Sequence, residues 1–164
     1  IGKVNAAAAT QRAIIEGATE ILNCGLCGGI DRRMEIGQVF EVESAVEYDF
    51  DLAELNGTGV GVLNERNDAY IPALTKGLFE SRILASGDRF TNSEDDFALL
   101  DALNCTLRDM EGAAIAHVCE KNKIPFRSLK AVSDVRGQGL MIGQYRKHSE
   151  TALNALYEAI RKWA

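Results

Sequence analysis

The sequence is short of proline and histidine, has no long apolar run and carries no excess of positive charge. Each shortage excludes something. Proline occurs only at Pro72 and Pro125 in 164 residues, which rules out a proline-rich spacer. Histidine occurs only at His117 and His148, and the four cysteines are Cys24, Cys27, Cys105 and Cys119. The pair in "CGLC" has CxxC spacing, but no second CxxC is available to complete a zinc ligand set. A redox CxxC opens a helix after a strand. Here Gly28 and Gly29 follow at once, so the stretch reads as small residues in a tight turn. The thiols are expected to be reduced, as in a cytoplasmic protein. No run approaches the ~20 apolar residues that span a bilayer, and no secretory leader is expected. Twenty-four acids against 18 bases give a net charge of −6. That excludes the basic face of a nucleic-acid binder.

What is present is an ordinary globular balance, 46% hydrophobic and 26% charged, in a length that suits one domain with a real core. An alanine-rich stretch from Gly2 to about Ala18 has helical spacing. "TEILNCGLCGGI" reads as a short strand running into a glycine-rich turn, and "GQVFEVESAVEYDFDL" as one or two strands. Residues 56–68 read as a loop, "AYIPALTKGLF" as a modest helix and "SRILASGD" as a strand. "SEDDFALLDAL" predicts a helix with a serine cap and acids in its first turn. "LRDMEGAAIAHVCEKNKIPF" predicts the clearest helix, with Met110, Ala113, Ala114, His117 and Val118 as its apolar stripe. Pro125 stops it, "FRSLKAVS" is the next strand, and "YRKHSETALNALYEAIRKWA" is a closing amphipathic helix. The alternation predicts an α/β protein with a largely parallel sheet.

Ligands of such sheets gather at the carboxyl ends of the strands. Four stretches there have unusual content: "CGLCGG" (24–29), "ASGDRFTN" (85–92), "DMEGAA" (109–114) and "VSDVRG" (132–137). Taken singly, each has a plain structural explanation. Glycines make turns, Asp109 can cap a helix, Glu111 suits a helix dipole, and Ser133 with Asp134 can close a turn.

Together, and in this order, "IGKVNAA", "NCGLCGGI", "IGQV", "ASGDRF", "DMEGAAIAHVC", "IPF" and "KAVSD" resemble the nucleoside phosphorylase and nucleosidase family. Within it the likeness is greatest to the branch that cleaves 5′-methylthioadenosine and S-adenosylhomocysteine. The resemblance covers the chain from Ile1 to about Gly137 and, more loosely, the last helix. It implies one domain over residues 1–164, N-terminally short, folded as a three-layer α/β/α sandwich around a mixed, twisted sheet. The implied activity is hydrolysis of the N-glycosidic bond of a purine nucleoside. The alternatives are a purine nucleoside phosphorylase and a non-catalytic nucleoside-binding or storage relative.

The resemblance also implies roles. Asp134 matches the general acid that protonates the purine, and Ser133 its supporting neighbour. Glu111 matches the carboxylate that binds the ribose hydroxyls, with Met110 against the sugar. Phe90 matches the aromatic that stacks on the base, and Thr91 meets the base edge through its backbone. Lys130 stands where an arginine is usual, near the attacking water. Leu26 replaces a serine of the glycine-rich stretch, and in the family's order the water-activating glutamate precedes the segment that starts this chain. No cofactor and no metal are implied. The expected partners are a small-molecule nucleoside and further copies of the chain, a dimer first, with no nucleic acid and no membrane.

Overall fold

Alanine, the residue with the highest helix propensity, makes the first element, helix α1 (Lys3–Ile15). The computed structural model describes residues 1–90 and 93–163. After α1 come strand β1 (Ile21–Gly29), strand β2 (Val39–Glu47), the single turn α2 (Ala53–Asn56) and the two-residue strand β3 (Ile71–Pro72). Strand β4 (Ser81–Ser86), helix α3 (Glu94–Ala102), strand β5 (Leu107–Asp109), helix α4 (Gly112–Asn122), strand β6 (Phe126–Val135) and helix α5 (Met141–Trp163) complete the chain. The Ser93 hydroxyl caps α3 by accepting the Asp96 N–H at 3.1 Å, as the sequence predicts.

Three expectations need correction. The glycine-rich stretch 24–29 is not a turn. It is extended backbone, laddered in parallel against β6 from Ile21↔Phe126 to Gly29↔Val135. Residues 70–80 do not form a helix. The carboxylate of buried Glu41 accepts the backbone N–H groups of Lys76 (2.5 Å), Gly77 (3.2 Å), Leu78 (2.8 Å) and Phe79 (3.2 Å). Four donors converging on one acceptor bend the segment into a loop around it. In the third case, "LRD" is strand rather than the start of α4, so Met110 lies outside that helix. The buried face of α4 is Gly112, Ala113, Ala114, Ala116 and Cys119, and His117 is only half-buried.

The sheet is mixed, with most of its paired residues in parallel ladders. Pairings β1/β6, β2/β4 and β4/β5 are parallel, whereas β1/β5, β2/β3 and β2/β6 are antiparallel. The strand order is β3-β2-β4-β5-β1-β6, and β2 also pairs with β6 through Val39↔Ala131 and Phe40↔Lys130. Five strands thus close on themselves, which shields edges that an open sheet would present. Helices cover opposite faces. Cys27 and Val132 pack with Ala113 and Ala116 of α4, while Leu129 and Ala131 pack with Ala152 and Leu156 of α5. This mixed sheet between helices is the architecture that the resemblance implies. Among the described residues no helix is long and apolar enough to cross a membrane.

Candidate active site

Three strand ends meet in one row. Gly28 of β1 is the ladder partner of Arg108 in β5 on one side and of Asp134 in β6 on the other. Directly paired residues put their side chains on the same face of a sheet. Gly28 has no side chain there, so Arg108 and Asp134 reach over it, and Arg108 Nη2 donates to Asp134 Oδ2 at 2.9 Å. A Cβ on residue 28 would come within 2.8 Å of Arg108 Nε and 2.9 Å of Asp134 Oδ2. Glycine is required by this contact rather than by a turn.

The register slips beside this row. Cys27 pairs with Val132 but Gly28 pairs with Asp134, which leaves Ser133 as the extra residue of a bulge. Bulges re-aim side chains near functional sites. Here the Ser133 hydroxyl lies 2.8 Å from Asp134 Oδ1 and 3.2 Å from the carbonyl oxygen of Cys27. Burial pushes the Asp134 carboxyl above the usual carboxylate range, while Arg108 and Ser133 pull it back.

Helix α4 starts opposite. The Asp109 carboxylate accepts the N–H groups of Gly112 (2.9 Å to Oδ2) and Glu111 (3.2 Å to Oδ1), and the Ser86 hydroxyl accepts the N–H of Ala113 at 2.8 Å. The capping is therefore done by Asp109 and Ser86. Glu111 makes no capping bond to the helix it precedes, and its carboxylate borders the cleft. It accepts the Gly2 N–H at 2.9 Å and the Met110 N–H at 3.3 Å.

These groups line a cleft of about 440 Å³. Asp134, Ser133, Glu111, Met110 and Phe90 all border it, together with Arg108, Leu26, Tyr145, Ile142 and Leu153. Phe90 is 40% exposed and meets the Tyr145 ring edge-on, with centroids 6.1 Å apart. Thr91 lies outside the described residues. The structure does not bring Lys130 to the cleft. Its ammonium is buried behind the wall, 2.8 Å from Asp109 Oδ2 and 3.3 Å from Asn23 Oδ1. Cys27 borders the cleft, but burial pushes its thiol well up, so it serves as an apolar wall. Among the described residues no cluster of three potential metal ligands exists.

Sequence reasoning missed Arg108 and the α5 residues Ile142, Tyr145 and Leu153. No local pattern marks Arg108, because its partner is 26 residues away. Tyr145 and Leu153 could have been found as apolar positions on the exposed face of the amphipathic helix α5.

The family model of the phosphorylase superfamily matches residues 1–162. A 5′-methylthioadenosine nucleosidase of Arabidopsis thaliana is 38% identical over 121 residues, covering 70% of this chain and 43% of that protein. A 5′-methylthioadenosine/S-adenosylhomocysteine nucleosidase of Colwellia psychrerythraea is 32% identical over 160 residues, covering 84% of this chain and 65% of that protein. The chain thus spans less than two thirds of the length of either curated relative. Among solved structures, the nucleosidase of the same name from Neisseria meningitidis, in complex with methylthio-immucillin-A, superposes with a TM-score of 0.84. It is 27% identical and covers 95% of this chain and 74% of that one.

Proposed function

The chain belongs to the phosphorylase superfamily, and from that premise we propose that it hydrolyses the N-glycosidic bond of a purine nucleoside and releases the free base. The observation that carries this reading is the pairing, across one cleft, of a buried carboxyl with a second carboxylate. Asp134 sits deep, with its ionised form disfavoured by burial. Glu111 sits at the rim of a helix that it does not cap. Cleavage of such a bond needs an acid at the leaving base and negative charge near the oxocarbenium-like sugar. Asp134 suits the first task and Glu111 the second.

The Ser133 hydroxyl has one proton and two acceptors within reach. When Asp134 is ionised, Ser133 donates to it. When Asp134 carries the proton, Asp134 donates to Ser133, and Ser133 turns to the Cys27 carbonyl. Both charge states are therefore hydrogen-bonded, which suits a group that must gain and lose a proton. In the reaction the bond between the sugar carbon and the base nitrogen breaks, and its electron pair leaves with the base, which takes the Asp134 proton. Water supplies the new C–O bond, and its released proton restores the acid by way of solvent. Phe90 and Tyr145 provide an aromatic wall for a base, and Met110 an apolar surface for the sugar. The relatives' names support a 5′-thio nucleoside as substrate.

Hydrolysis is favoured over phosphorolysis because the two cleft arginines are already paired, Arg108 with Asp134 and Arg89 with Asp96. Arg33, a candidate phosphate ligand by type, is exposed and paired with Asp31. The exposed apolar rim of Phe90, Ile142, Tyr145, Leu153 and Tyr157 supports a homodimer in which a second copy covers the cleft. Four free cysteines support a reducing, cytoplasmic setting. The test is base release from methylthioadenosine, adenosylhomocysteine and inosine, each with and without phosphate. Release that ignores phosphate is expected. A strict phosphate requirement establishes the phosphorylase reading instead, and tight binding without release establishes the non-catalytic one.

A further inference from the structure

Arg108 is 6% exposed and Asp134 2%, yet their contact is incomplete. Arginine and carboxylate frequently meet through two parallel N–H bonds. Here one nitrogen, Nη2, makes the contact, and it also lies 3.3 Å from the Met141 sulfur. Nε is buried without a partner among the described residues. The face of the guanidinium lies over Phe90, 5.0 Å from the ring centroid. A buried donor without an acceptor costs free energy, so this arrangement is held by something other than its own optimum. What holds it is the ladder row Arg108–Gly28–Asp134, in which glycine alone leaves room for the bridge.

We propose that Arg108 is a positioning residue for the reaction: it aims the Asp134 carboxyl at the cleft beneath Phe90, and by its fixed positive charge it decides when that carboxyl can hold a proton. The proposal rests on the reading of Asp134 as the acid. The surroundings leave Arg108 as the controlling charge. Of the ionisable groups around the cleft, Glu111 bonds the Gly2 and Met110 amides, Asp109 is paired with Lys130, and Arg89 with Asp96. From β1 come Leu26, Gly28 and the Cys27 thiol, whose proton burial retains. From α5 come Met141, whose sulfur lies against Arg108, and Tyr145 of the cleft wall, and Arg136, in the turn after β6, points away to Asp101 and Glu94. Among the described residues only Arg108 makes an ion pair with Asp134.

An opposite charge at this range holds a carboxyl down by about 1–3 pH units. Arg108→Met is therefore expected to raise the Asp134 midpoint by that amount, read by carboxyl infrared difference titration with Asp134→Asn as the blank. Arg108→Lys, which keeps the charge, is expected to restore most of the shift. In base release, the alkaline limb of kcat/KM moves up in Arg108→Met and returns in Arg108→Lys. An unmoved midpoint overturns the proposal. Should Arg108→Met not fold, the double variant with Asp134→Asn decides. Recovery of the fold in the double variant shows that the unpaired carboxylate was the cause and supports the proposal. No recovery makes Arg108 a packing residue and overturns it. Absence of base release in the unmodified protein rejects the hydrolase reading, while the titration still decides the role of Arg108.

Discussion

At the scale of single residues, the candidate site separates groups that hold structure from groups free for chemistry. Asp109 and Glu111 are two positions apart and both carry a carboxyl group, yet Asp109 caps α4 and pairs with Lys130 while Glu111 faces the cleft. The same distinction governs the expected variants. Asp134→Asn keeps an acceptor for Arg108 and the hydrogen bond with Ser133, so the fold is expected to persist, with a lower Tm because the buried guanidinium loses its counter-charge. Purine release is expected to drop by about 10²–10⁴, the usual worth of a positioned acid. A nitrophenyl riboside, whose leaving group needs no proton, is expected to lose far less. Near-normal rates on a purine nucleoside would return Asp134 to the status of a turn residue. Glu111→Gln is expected to weaken cationic sugar mimics more than free adenine, measured by calorimetric titration. Lys130→Met strands the buried Asp109 carboxylate and is expected to cost about 3–5 kcal/mol in denaturant unfolding. A loss of activity with unchanged stability would place Lys130 in the reaction after all.

At the scale of elements, two devices aim the site. One is the extra residue in β6, which turns Ser133 toward Cys27 and sets Asp134 beside Gly28. The other is the side-chain-free position in β1. Gly28→Ala is expected to cost about 1–3 kcal/mol from overpacking, because the new methyl meets Arg108 and Asp134 at under 3 Å. It is also expected to impair base release by more than the stability loss explains. Normal activity with normal stability would mean that the Arg108–Asp134 bridge is dispensable. Glu41 plays a comparable part away from the cleft, since it gathers four amides of the loop 76–79. Those bonds hold its carboxyl below the usual range against the opposing effect of burial.

At the scale of the whole molecule, a charged cluster ties distant parts of the chain together. Lys3 of α1 reaches Glu47 and Asp49 at 3.1 and 2.6 Å, and His117 of α4 lies between Glu47 (3.3 Å) and Glu65 (2.8 Å). The hydrogen bond to Glu47, helped by Glu65 and opposed by burial, raises the His117 pKa above its ordinary value. A raised folded-state pKa means that the folded protein binds the proton more tightly than the unfolded chain. This contribution is full below about pH 6.5 and is lost as pH rises through the folded value. The free energy of unfolding is therefore expected to decline from mildly acidic to alkaline pH, by on the order of 1 kcal/mol or less because the cluster is partly solvated. His117→Gln is expected to flatten that decline, and an equal slope in both proteins would exclude His117 as its source. Oligomeric state belongs to this scale as well. Light scattering is expected to report a dimer at micromolar concentration, whereas a stable monomer would leave the rim of Phe90, Tyr145 and Leu153 uncovered.

Local patterns in the sequence determined much of this protein. Alanine content made α1, the serine and acids made the start of α3, and alternation and β-branching made β2, β4 and β6, because propensity and capping act over a few residues. The acids Glu111 and Asp134 were legible as candidates because the motifs around them are contiguous. Tertiary structure alone decided the rest. That "CGLCGG" is a strand follows from its pairing with β6, about 100 residues later in the chain. That residues 70–80 avoid a helix follows from Glu41, more than 30 residues earlier. The mixed, closed sheet follows from β2 pairing with both β4 and β6. Arg108 became a site residue, and Lys130 a buried strut, only when strand register placed each beside its carboxylate. A charge pair depends on proximity in space, and spacing along the chain carries no record of which distant residues a ladder will bring within 3 Å.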